Sequence, residues 1–101
     1  MWKLTEDISR LLKDLNFIAK DYGYFLSLNG SVLFEGYSEH DLDIIGCKYV
    51  ENPNEDAFVH NFILYLSGSL VNTYRGLFAN AYVIEIIIGD KSHLIDLSIR
   101  R

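Results

Sequence analysis

Two aspartates flanking one leucine, Asp41-Leu42-Asp43, head the apolar run Ile44-Ile45-Gly46-Cys47. The run reads as a strand over Leu42–Val50. A strand's period of two then puts Asp41 and Asp43 on one face, with Leu42 and Ile44 on the other. The two carboxylates stand about 7 Å apart and repel by roughly 1–2.5 kcal/mol at an effective dielectric of 20–40. A fold has little reason to keep that pair beside a Gly-Ser corner unless a cation or a cluster of donors sits between them.

The corner is Gly30-Ser31, nine residues ahead of Asp41. Tyr24–Leu28 is a short strand leading into it. Asn29-Gly30 carries two readings. One is a type I′ hairpin turn pairing YFLSL with SVLFE. The other is a corner where glycine lets the backbone approach a phosphate and a short helix starts at Ser31; local chemistry favours the hairpin, and the D-L-D at its distance tips the choice to the corner. The chain then turns at Gly36 and returns through Ser38 and His40.

Before this stretch, Thr5–Lys20 has the spacing of an amphipathic helix. Thr5 is its N-cap, Glu6 and Asp7 sit in the first turn, and Leu4, Ile8, Leu11, Leu12, Leu15, Ile18 and Ala19 form the stripe. Gly23 ends it. After the breaker-rich Glu51–Glu55 loop, Asn54 caps a helix from Glu55 to about Leu66, with Phe58, Phe62, Ile63 and Leu66 inward. Leu70–Phe78 reads either as more helix or as a loop carrying Tyr74-Arg75-Gly76. Ala81–Ile88 and His93–Ile99, joined by Gly89-Asp90-Lys91-Ser92, form an antiparallel hairpin. The order helix, strand, short helix, strand, helix, strand, strand describes an α+β fold: a small mixed β-sheet with helices packed on one face.

On the last strand Asp96 shares a face with Leu94 and Ser98. If that strand lies beside Leu42–Val50, Asp96 converges with Asp41 and Asp43. Three convergent carboxylates are the oxygen donor set that Mg²⁺ or Mn²⁺ prefers. Glu85, in Ile84-Glu85-Ile86, is the rival third acid, since an acid in so apolar a strand must face water, a cation or a partner. His40, His60 and His93 lack zinc-ligand spacing. Cys47 reads as a small core residue, and a lone cysteine allows no internal disulfide.

The acidic string resembles the signature of the DNA polymerase β superfamily of nucleotidyltransferases: a hydrophobic strand, G-[GS], a gap of nine to thirteen residues, and D-h-[DE]-h, where h is hydrophobic. Gly36 and Ser38 ahead of the carboxylates fit as well, and Ile95-Asp96-Leu97 supplies the h-D-h that the family places on a later strand. The resemblance implies a nucleotidyltransferase-like fold. It implies Asp41, Asp43 and Asp96 as catalytic residues and as metal ligands for Mg²⁺ or Mn²⁺, and Gly30, Ser31 and Ser38 as nucleotide-binding residues. The activity implied is transfer of a nucleoside monophosphate from a nucleoside triphosphate, such as ATP, to a hydroxyl on a protein or RNA acceptor. A catalytically silent binding protein on the same fold, antitoxin-like or a phage-type inhibitor of a host defence protein, is the alternative.

Composition narrows the setting. The 101 residues are expected to form one minimal domain, 1–101. A formal net charge of −5 argues against general DNA binding, yet a divalent cation can reverse the potential at a nucleotide site. No apolar run approaches the ~20 residues that span a bilayer, so the expectation is a cytoplasmic protein without membrane attachment.

Overall fold

Alternation along three strands sets the architecture: Leu42, Ile44, Ile84, Ile95, Leu97 and Ile99 are all fully buried, while their neighbours in sequence are not. The computed structural model of the chain describes residues 2–3, 6–38 and 41–101, and leaves aside the side chains of Lys3, Ser31 and Val32. The elements run β1 (Trp2–Lys3), α1 (Glu6–Ala19), β2 (Tyr24–Asn29), α2 (Gly30–Glu35), β3 (Tyr37–Ser38), β4 (Asp41–Lys48), α3 (Glu55–Leu66), β5 (Ser69–Arg75), β6 (Ala79–Ile88) and β7 (Lys91–Arg100). The sheet order is β2-β4-β7-β6-β5, with β4 and β7 parallel and the other neighbours antiparallel. This is the α+β fold with a mixed sheet that the sequence leads one to expect.

Helices α1 and α3 cover one face. Ile8, Leu15 and Ala19 of α1 and Phe58, Val59 and Phe62 of α3 are buried in the same cluster as the alternate residues of the strands. Phe58 anchors it, stacked on Tyr24 at 5.1 Å between ring centres and edge-on to Phe62 at 5.8 Å. Asn54 caps α3 as expected, its side-chain oxygen accepting from the Ala57 N–H at 3.2 Å. The expected cap Thr5, the stripe residue Leu4, and His40 lie outside the described residues. Glu55, in the first turn of α3, accepts from the Asn80 amide at 2.9 Å and from the Tyr82 hydroxyl, and lies 3.9 Å from Arg75.

Two expectations change. Residues 69–75 are neither helix nor loop but the edge strand β5, paired with β6 and interrupted by an irregularity at Val71. Arg75 therefore turns toward Glu55 on the helical side. Cys47 is half-buried on the opposite face from the core, because the residue facing the helices there is the buried Gly46. At Asn29-Gly30 the corner forms, as the D-L-D spacing led one to expect: β2 runs antiparallel to β4, with Asn29 opposite Asp43, and Gly30–Glu35 coils into α2.

Candidate functional site

With Leu42 and Ile44 drawn into the core from β4, and Ile95 and Leu97 from β7, Asp41, Asp43 and Asp96 must emerge on the face opposite α1 and α3. The parallel register sets Asp43 beside Asp96 and Asp41 beside Leu94. All three acids are half-buried, and one carboxylate oxygen from each lies within 4.8 Å of the others. Glu85 stays apart. It pairs with Leu94 on β7, one row from the Asp43–Asp96 pair, and accepts from the Ser92 hydroxyl at 2.6 Å.

Such crowding shows in the protonation equilibria. Asp43 is pushed up from 3.8 to about 6, first by burial and then by the charges of Asp41 and Asp96. Burial and Asp41 likewise raise Asp96 above the usual carboxylate range. The site therefore holds more negative charge than its surroundings neutralise, and protons or a cation relieve it.

The corner abuts this cluster. Gly30 has φ of +69°, and a Cβ built on it would overlap a carboxylate oxygen of Asp43. The left-handed backbone strains any other residue there, and a side chain would have to push the Asp43 carboxylate aside. Ser31 follows within α2, its side chain outside the described set. Ser38 is buried on β3 opposite Trp2, three residues ahead of Asp41.

Two positioning residues escape a reading along the sequence. The Trp2 indole N–H donates to the Leu94 carbonyl at 3.0 Å, and its ring lies 5.3 Å from that of His93, tying β1 to the start of β7. Asn16 on α1 clamps β2: its amide donates to the Leu26 carbonyl at 3.0 Å and its oxygen accepts from the Leu26 N–H at 2.6 Å. The first link spans 92 residues and the second joins a helix face to a strand edge, so no local pattern signals either.

No protein-family model matches the chain, and no curated protein matches it in sequence. Solved structures do match in shape. The Cid1 poly(U) polymerase, solved with magnesium and 3'-dATP, superposes with a TM-score of 0.67 at 11% identity over 96% of this chain and 32% of its own. A cytoplasmic RNA terminal U-transferase gives 0.57 at 14% identity, over 97% of this chain and 31% of its own. Both belong to the DNA polymerase β-like nucleotidyltransferase superfamily. The five-stranded mixed sheet with its helices is thus a nucleotidyltransferase-type fold, and the chain spans about a third of the length of these neighbours.

Proposed function

We propose that the protein is a metal-dependent nucleotidyltransferase that moves a nucleoside monophosphate from a nucleoside triphosphate to a hydroxyl group, with an RNA 3′ end as the first acceptor to test. The observation that carries this reading is the convergence of the Asp41–Asp43 pair with Asp96, more than 50 residues away, against a glycine corner where a side chain would displace Asp43. The donor set fits a hard divalent cation: all oxygen, charge-rich, and with open positions for water and phosphate. Asp41, Asp43 and Asp96 would hold Mg²⁺ or Mn²⁺, which when bound supplies neutralisation of the triphosphate charge and activation of the attacking hydroxyl.

The chain's own residues account for the remaining work. Asp43, at the centre of the cluster and against Gly30, orients the acidic side of the site toward the corner. Asp96, facing the β4 pair from β7, is the carboxylate placed to accept the proton of the acceptor hydroxyl in this reading. Backbone N–H groups at Gly30 and Ser31, where α2 begins, face the phosphates, and Ser38 completes the nucleotide contacts in this reading. Pyrophosphate leaves as the new phosphodiester forms.

A purely binding role on the same fold leaves the mutual repulsion of the acids without a purpose, since replacing any one by asparagine would relieve it. Incubation of the chain with α-labelled UTP or ATP, Mn²⁺ or Mg²⁺ and a short RNA tests the proposal. Label should move to the RNA, and Asp96→Ala should reduce the transfer at least a hundredfold, on the order of a catalytic group's contribution. Metal binding by the native chain without any transfer to RNA or protein acceptors would reject the enzyme reading.

A further inference from the structure

The two edges of the main sheet are treated differently. On β2, the Leu26 N–H and C=O are both taken by Asn16 from α1. Along β5, by contrast, no hydrogen bond from another element reaches the outer edge among the described residues. Thr73 N–H is met only by its neighbour Asn72, at 2.8 Å. An uncovered edge is a template for another strand, and proteins usually blunt one with charge.

Acidic charge is what this region lacks. On a chain with 14 acidic residues, no Asp or Glu occurs between Ala57 and Ile84, and Arg75 is already beside Glu55. The edge and the turn after it carry Leu70, Val71, Tyr74, Leu77 and Phe78, exposed by 49%, 57%, 57%, 81% and 75%. Depletion of charge with enrichment of aromatic and aliphatic surface marks the centre of a protein interface.

We infer that β5 pairs antiparallel with β5 of a second copy of the chain, across a twofold axis near Asn72. This stands apart from the nucleotidyl-transfer reading. Two molecules of net charge −5 repel wherever their acids meet, and β5 itself carries none, the nearest being Glu55 beside Arg75 and Glu85 opposite Ser69. The strand is also its own complement. Centred on Asn72, antiparallel pairing sets Leu70 against Tyr74 of the second copy and leaves the Leu77-Phe78 turn just beyond its Ser69.

The area suffices for a modest dimer. A whole aromatic side chain carries about 150–250 Å², so Tyr74 and Phe78 at their exposures offer roughly 200–330 Å². Leu70, Val71 and Leu77 add roughly 190 Å² at about 100 Å² each. Two copies offer at most ~800–1,000 Å² of this surface before the edge backbone is counted, the low end at which specific but weak interfaces begin.

Sedimentation equilibrium of the full chain over ~1–300 µM tests this, with a dimer dissociation constant expected in the micromolar range. Val71→Lys should weaken the dimer more than tenfold by placing a solvated charge on the edge, whereas Phe17→Lys, on the exposed side of α1, should leave it unchanged. If Val71→Lys does not fold, Leu77→Lys in the turn serves instead. In the native chain, amide exchange at residues 69–75 should slow as concentration rises, while exchange along β2 should not. A chain monomeric at ~300 µM, or a dimer indifferent to both variants, overturns the proposal. So does a monomer that binds a labelled oligouridylate through this strip and loses it in the same variants, which would reassign the strip to nucleic acid.

Discussion

Replacing Asp43 by asparagine should stabilise the metal-free protein while abolishing the divalent-cation binding proposed for the site. Asp43 ionises among carboxylates whose oxygens lie within 4.8 Å, and its pKa stands at about 6 instead of 3.8. At ~1.4 kcal/mol per unit, the ionised group costs the fold at most about 3 kcal/mol. The side chain is only half-buried, so water and salt screen part of this, and the expected gain is about 1–2 kcal/mol. In a chain of this length that corresponds to roughly 5–15 °C in Tm. The direction with pH follows from linkage. The unfolded group titrates near 3.8 and the folded one near 6, so between them the native state binds more protons, and stability falls as pH rises through that window. Urea denaturation with a chelator should therefore show the variant ahead at about pH 7.5 and the two curves converging toward about pH 4. Magnesium at ten times its dissociation constant should add about 1.4 kcal/mol to the native chain and nothing to the variant. A variant less stable than the native chain at neutral pH, or a difference that ignores pH, would refute the view that these carboxylates are crowded against one another.

Gly30→Ala should lose about 1–2 kcal/mol from its left-handed backbone alone, and displacement of Asp43 should weaken Mn²⁺ binding by tenfold or more, measurable by calorimetry. Asn16→Ala leaves the Leu26 N–H and C=O without their clamp and should cost about 1–3 kcal/mol in urea melts, with metal affinity unchanged. Glu55→Ala removes the acceptor shared by Asn80 and Tyr82. It should cost a similar ~1–3 kcal/mol. The Tyr82 hydroxyl, held near pKa 12 by burial and by Glu55, should then ionise at lower pH in an ultraviolet titration.

What neighbours along the chain encode was legible in the residues themselves. Period-two alternation in 41–48 and 91–100 put the three aspartates on the faces opposite Leu42, Ile44, Ile95 and Leu97, and the stripe of α1 and the Asn54 cap of α3 were equally local. Where one string served two structures, local chemistry alone did not decide. Asn29-Gly30 suits a tight hairpin as well as a corner, and the choice went to the corner because β2 finds its partner in β4, across a gap in the chain. β5 left no trace, since an irregular edge strand with both sides largely exposed has no burial pattern to read. The parallel pairing of β4 with β7 belongs to the tertiary structure alone. It joins residues more than 50 positions apart, and only that register brings Asp96 rather than Glu85 alongside Asp43. The sequence by itself determined which acids face away from the core, because alternation is a property of the strand. Which of them meet depends on strand order, settled by how the whole apolar surface packs under α1 and α3.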